Sequence, residues 1–276
     1  MRITEPAPAK INLALHVRAR RPDGYHELET LFAFVEAGDV VSVEPAERDE
    51  FRISGPFGAA LDAETDNLVT RARDRFRTAF GLPAVAIELV KNLPVASGIG
   101  GGSADAAATL RALARMTGIG ADNARLYDLA DGLGSDVPAC LFGRTAMGRG
   151  RGEQLQPLTG AAGRLVLLIN PGIAVSTAAV FARWDGLDRG PLRTDDVMAA
   201  ALDGRNDLYP PARLVAPGID APLALLEAYP GVVLARMSGS GATCFALFDS
   251  EEQMMMAAEQ ASTQAGWWVC PTRLRP

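Results

Sequence analysis

Between Pro94 and Asp105 the chain reads Pro-Val-Ala-Ser-Gly-Ile-Gly-Gly-Gly-Ser-Ala-Asp, with four glycines among residues 98–102 and an alanine- and leucine-rich run behind them. Glycine admits positive φ and lets backbone amides come close to a ligand. A helix opening on such a loop adds unpaired N–H groups and a partial positive charge. That combination suits a phosphate. It is not a Walker A loop, because Ser103 follows Gly102 with no lysine between, and a GxGxxG loop from Gly98 would need glycine where Ser103 stands. A plain connector with Ser103 as its N-cap would need one or two glycines, not four. Phosphate binding by residues 94–104 is therefore the expectation.

Lysine usage points to a second group. Of 27 basic residues only Lys10 and Lys91 are lysines, the other 25 being arginine. Where Arg fills nearly every basic position, a remaining Lys hints at a need for a compact ammonium that a planar guanidinium does not meet, although chance is an equal alternative. Asp136 stands in Leu-Gly-Ser-Asp-Val-Pro, either as a helix-start aspartate or as a carboxylate presented from a rigid turn. Residues 239–243 form a second glycine loop, which by itself reads as a hairpin turn. It is not a GxSxG nucleophile elbow, since Ser238 stands two before Ser240.

The bulk composition bounds the function. A chain of 276 residues, 48% hydrophobic and 22% charged, suits a globular enzyme of one large or two modest domains. Its formal net charge of -6 counts against a sequence-independent grip on nucleic acid. Cys140, Cys244 and Cys270 are far apart, lack CxxC spacing and read as free thiols of a reducing cytosol. With only His16 and His26 available, a histidine-rich metal site is not expected. The N-terminus carries no signal-like pattern and no segment suits a membrane span, so a cytoplasmic protein is expected.

The elements that must position these groups follow from periodicity. Strands are expected over 11–17, 30–35 and 40–43, then a helix over 68–80 stopped by Gly81-Leu82-Pro83, and a strand over 85–90. The glycine loop feeds a helix to about 117; a further helix covers 123–132, and after Pro138 the chain is expected to be extended over 139–142. Strands at 165–169, 232–237, 243–248 and 267–271 and a helix over 251–265 complete an α+β pattern. The glycine-rich run 148–152 marks either a domain boundary or a hairpin turn. The division adopted is 1–152 and 153–276.

Four segments carry a resemblance: Pro-Ala-Lys-Ile-Asn-Leu at 8–13, Arg-Pro-Asp-Gly-Tyr-His-Glu-Leu at 21–28, the glycine loop, and Arg-Met-Ser-Gly-Ser-Gly-Ala-Thr at 236–243. Together with Gly-Ser-Asp-Val-Pro they resemble the GHMP kinases along nearly the whole chain. The pairing of the first two segments resembles the branch that phosphorylates a cytidine-diphosphate-linked methylerythritol. Members often have a serine and an asparagine where Ala104 and Asp105 stand, and some have a glycine pair at Ala96-Ser97.

The resemblance implies a two-domain α+β fold, with an N-terminal domain like one of a small-subunit ribosomal protein and a ferredoxin-like C-terminal domain. It implies transfer of the γ-phosphate of ATP, carried with Mg2+, to the 2-hydroxyl of that substrate, on the non-mevalonate route to isoprenoids. Asp136 is implied as the base and Lys10 as the cation that offsets developing charge. Pro94, Val95, Ala96, Ser97, Gly98, Ile99, Gly100, Gly101, Gly102, Ser103 and Ala104 are implied to hold the phosphates, with Asp66, Asn67, Leu68 and Lys91 near adenine and ribose. Asn12, Tyr25, His26 and Phe181 are implied on the substrate side, Tyr25 and Phe181 stacking on cytosine. No protein-held metal is implied. The partners are then small molecules, with no nucleic acid or membrane, and the chain a monomer or weak homodimer.

Overall fold

The computed structural model describes residues 1–61, 67–193 and 196–276. Asp66 lies outside them. The chain forms two compact units that interleave along the sequence: Met1–Ala9, Gly38–Val95 and Gly100–Gly143 make one, and Lys10–Ala37, Ala96–Ile99 and Arg144–Pro276 the other. Two long strands, β1 (Ile3–Arg20) and β2 (His26–Pro45), contribute residues to both.

In the first unit, β3 (Glu50–Ser54), α1 (Leu68–Phe80) and β4 (Val85–Val90) follow in order. The end of β2 pairs antiparallel with β4, Val40 opposite Val90 and Pro45 opposite Val85, and β3 runs parallel to β4 on its other edge. Along β4 burial alternates, with Val85, Ile87 and Leu89 inward, the pattern of a strand with one covered face. Helices α2 (Gly101–Thr117), α3 (Ala124–Leu133) and α4 (Val137–Phe142) complete the unit. Helix α1 starts where the Asn67 carboxamide accepts the Val69 N–H at 2.9 Å, and its buried Val69, Ala72 and Phe76 recur at helical spacing.

The segment 139–142, expected to be extended, is the body of α4. Its apolar run is too short for periodicity to separate a strand from a buried helix. The deciding signal is Pro138 in the first turn, where a missing N–H leaves no bond unmade. The Cys140 N–H closes that turn on the Asp136 carbonyl at 3.0 Å.

In the second unit, residues 28–32 of β2 pair antiparallel with β5 (Ala146–Gly150), which turns through 150–152 into β6 (Gln154–Pro157). The glycine-rich run is thus a hairpin. Then come β7 (Leu165–Asn170), α5 (Thr177–Ala182), α6 (Val197–Asp203), α7 (Tyr209–Val215), α8 (Asp220–Glu227), β8 (Val232–Met237), β9 (Cys244–Phe248), α9 (Glu251–Ser262) and β10 (Trp268–Arg273). The last four strands form an antiparallel sheet in the order β10-β7-β9-β8, the expected ferredoxin-like arrangement. Helices α8 and α9 share one apolar core with β7 and β9, including Leu167, Ile169, Leu226, Phe248 and Ala257.

Strand β1 is tied into this unit by Arg236, whose guanidinium donates to the carbonyls of Leu13, Ala201 and Gly204. Burial lowers its pKa to about 10. The Phe76 side chain is fully buried against the first unit's core, so Phe76→Ala should cost about 3–5 kcal/mol of unfolding free energy, read from urea denaturation.

Candidate active site

The glycine segment is shared: 94–95 and 100–104 belong to the first unit, 96–99 to the second. In the first, Gly100 stands before α2 in the left-handed region (φ 66°, ψ 23°), a conformation that favours glycine. As a glycine, this N-cap residue supplies no side-chain cap. Its opening amides are the donors an anion at the helix start would meet. A Cβ built on Gly102 would meet only Leu68 Cδ1, at 3.6 Å, within 4 Å. Beneath Gly101 lies Lys91, expected near adenine and ribose. It is 2% exposed, and its ammonium donates to Asp39 at 2.5 Å and Asp105 at 2.7 Å. The Asn67 carboxamide oxygen is engaged as the cap of α1. Asp136 is half-buried at the start of α4, with no capping bond from its side chain.

In the second unit the segment 96–99 is braced by the second glycine loop. Thr243 donates to the Ser97 carbonyl through its hydroxyl at 2.6 Å and its N–H at 3.1 Å, and the Ser238 hydroxyl donates to the Gly98 carbonyl at 3.1 Å. Ala96 and Gly98 both have positive φ, 52° and 77°. The Lys10 N–H donates to the Ile99 carbonyl at 2.9 Å, which fixes β1 to the same segment.

Lys10 and Asn12 lie on one face of β1, as a two-residue spacing requires. The Lys10 ammonium donates to Asn12 Oδ1 at 3.0 Å and stands 5.5 Å from the Phe32 ring centre. Asn12 Nδ2 donates to the Thr30 hydroxyl at 2.7 Å, which donates to the Ala14 carbonyl at 2.8 Å. This relay leaves the amide oxygen of Asn12 toward the ammonium. Both side chains are buried, held in place before any ligand arrives.

The aromatic residues divide differently from expectation. His26 and Phe181 come together, ring centres 4.8 Å apart, and Trp184 closes edge-on to His26 at 5.6 Å. Tyr25 is not in that cluster: its ring is half-exposed with the Arg151 guanidinium 4.9 Å above it. Burial first, then the charge of Arg20, holds the His26 pKa below the ordinary value, so its ring is neutral at pH 7. His26 Nε2 and Trp184 Nε1 are both buried with no hydrogen-bond partner among the described residues. Trp184 belongs to no motif; its only signal was its place three residues after Phe181, one helical turn on. Asp39 likewise escaped the sequence, because its partner Lys91 lies 52 residues away.

A Cβ on Gly98 would fall 2.4 Å from the Gly241 carbonyl oxygen and 2.9 Å from that of Ser238. These are backbone atoms with little freedom to yield. Gly98→Ala should therefore destabilise the fold by about 1–3 kcal/mol, measured by thermal or urea unfolding.

Comparison with known families matches residues 67–144 to the N-terminal domain of GHMP kinases and residues 193–263 to their C-terminal domain. The chain is 53% identical over 281 residues to a 4-diphosphocytidyl-2-C-methyl-D-erythritol kinase of Rhizorhabdus wittichii, covering 100% of this chain and 96% of that one. It is 50% identical to the enzyme of the same name from Novosphingobium aromaticivorans, over 100% of this chain and 94% of that one. A crystal structure of 4-(cytidine 5'-diphospho)-2C-methyl-D-erythritol kinase superposes with a TM-score of 0.80 at 34% identity, covering 99% of this chain and 100% of the other. A homoserine kinase from Cytophaga hutchinsonii shares the fold, with a TM-score of 0.73 at 19% identity over 99% and 96% of the two chains. The chain belongs to the GHMP kinases, and within them to the 4-diphosphocytidyl-2-C-methyl-D-erythritol kinases.

Proposed function

We propose that this chain transfers the γ-phosphate of ATP to the 2-hydroxyl of 4-diphosphocytidyl-2-C-methyl-D-erythritol, giving the 2-phosphate and ADP on the non-mevalonate route to isoprenoids. The observation that carries the proposal is full-length identity of about half to relatives named for that substrate. The uncapped glycine start of α2 supports it, since that is the local structure a triphosphate needs.

Phosphoryl transfer asks a protein for positioning and for charge at the transferred group more than for covalent chemistry. The amides that open α2 would hold phosphate oxygens. Mg2+ carried on the nucleotide would supply further neutralisation when bound; among the described residues no group of three or more His, Cys, Asp or Glu is placed to hold a metal. Asp136 is assigned to accept the proton of the attacking hydroxyl. Lys10, oriented by Asn12, is assigned to offset the charge that develops in the transition state.

The neutral His26 ring and the Phe181 ring packed beside it offer aromatic surface for a pyrimidine. The unpartnered nitrogens of His26 and Trp184 have the polarity its edge requires. Tyr25 reaches the ligand from its exposed position. We assign the protein to the cytoplasm, acting on small molecules as a monomer or weak homodimer; among the described residues no helix is long and apolar enough to cross a membrane.

Rates with the cytidyl substrate, homoserine and mevalonate test the acceptor, and preferred turnover of either of the last two would overturn the assignment. Asp136→Asn should lower kcat by roughly 10²–10⁴ with little change in ATP binding, and a near-normal rate would remove it from the base role. Tyr25→Ala should raise KM for the cytidyl substrate and leave KM for ATP unchanged, checked by steady-state kinetics in each substrate.

A further inference from the structure

Lys91, Asp39 and Asp105 form a charged group inside the first unit, each no more than 2% exposed. Asp39 is well served. One of its oxygens accepts the N–H groups of Asn92 at 2.6 Å and Leu93 at 2.8 Å, and the other the Lys91 ammonium at 2.5 Å. These three donors serve both of its oxygens. Asp105 has the ammonium on one oxygen at 2.7 Å, while its other oxygen is buried with no hydrogen-bond partner among the described residues. If both carboxylates were ionised, one ammonium would face two negative charges away from water. A single proton removes the excess, and Asp105 is the carboxyl with an unserved oxygen to carry it.

The group lies directly behind the start of α2. A Cβ on Gly101 would stand 3.1 Å from the Lys91 ammonium and 3.7 Å from an Asp39 oxygen. Asp105 itself is on the second turn of that helix. Negative charge there interacts favourably with the helix start, but a triphosphate at the same amides would compete for that interaction and repel it.

The charged groups acting on Asp105 are Lys91, from just beyond β4, and Asp39, from β2. The buried residues of α1, α3 and α4 are apolar apart from the Cys140 thiol of α4, and Arg111 of α2 is held by Glu5 of β1. Burial pushes the Asp105 pKa up to about 7, against the pull of Lys91. For Lys91, burial works against the ammonium, but the Asp105 and Asp39 charges more than offset it and hold its pKa above the ordinary lysine value.

We propose that Asp39, Lys91 and Asp105 form a buried support for the phosphate-binding start of α2, and that Asp105 is a positioning residue which takes up a proton from solvent when a triphosphate binds there. The proposal rests on the ATP reading given above. It links nucleotide affinity to pH through a residue that does not touch the nucleotide.

Calorimetric titration with a non-hydrolysable ATP analogue and Mg2+ at pH 7.5, in two buffers of different ionisation enthalpy, measures protons taken up per nucleotide bound. The wild-type chain should take up about half a proton, the amount expected if binding raises the Asp105 pKa by about one unit from near 7. Asp105→Asn, which keeps an acceptor for Lys91, should take up close to none. No uptake by the wild-type chain, or equal uptake by the variant, would overturn the linkage while leaving the kinase assignment standing. Failure of the wild-type chain to bind the analogue at any pH would overturn both.

A melting series without nucleotide gives a second readout. Asp105 holds its proton more tightly folded than unfolded, so its contribution to stability is full below the ordinary value of 3.8 and declines as pH rises toward and through about 7. The Asp105→Asn Tm should lack that decline, and parallel wild-type and variant curves would contradict a raised, titrating Asp105.

Discussion

Helix α2 opens on amides whose N-cap residue, Gly100, supplies no side-chain cap, and the kinase assignment depends on their staying available. A buried helix start without partners is costly, so such ends normally acquire a serine, threonine or aspartate cap. Here the preceding residue is Gly100, with nothing to offer but a left-handed backbone. The ordinary remedy is withheld, and the donors are left for an anion. The small side chains that follow keep the opening clear.

Withholding a cap transfers the work of holding the segment to its surroundings. In the first unit that work falls to the Lys91 ammonium and its two carboxylates, packed against Gly101. A guanidinium would be too broad for this place, where two short carboxylate contacts converge on one nitrogen. In the second unit the residues 96–99 are held through their carbonyls by Ser238, Thr243 and the Lys10 N–H. Carbonyls are thus turned into the protein on that side. The same β1 backbone that donates this bond carries the Lys10 and Asn12 side chains, so loop position and cation position share one support.

Much of this was legible in the sequence, for definite reasons. The helices over 68–80 and 101–117 announce themselves through caps, glycines and apolar spacing, and the terminal strands through β-branched and aromatic runs. The lengths of β1 and β2 were not legible, because Pro6, Pro8 and Gly38 interrupt the alternation that marks a strand. Helix α4 replaces the extended segment expected over 139–142 because four apolar residues fit either structure, and Pro138 stands in the first turn of a helix. Among site residues, the motif found Lys10 and Asn12 together because they sit two apart on one strand. It paired Tyr25 with His26 by adjacency, yet neighbours on an extended chain point opposite ways, and His26 keeps company with Phe181 and Trp184 instead. Asp39 was invisible because a buried ion pair leaves no spacing in the sequence when its members lie on different elements.

The central claim is that the α2 opening receives the triphosphate. Backbone amide shifts of Gly101, Gly102 and Ser103, followed by ¹⁵N-resolved NMR during titration with a non-hydrolysable ATP analogue and Mg2+, test it most directly. The three resonances should move together and saturate at one analogue per chain, with larger displacements than amides of α3. Saturable binding of the analogue that leaves all three resonances unmoved would contradict the account.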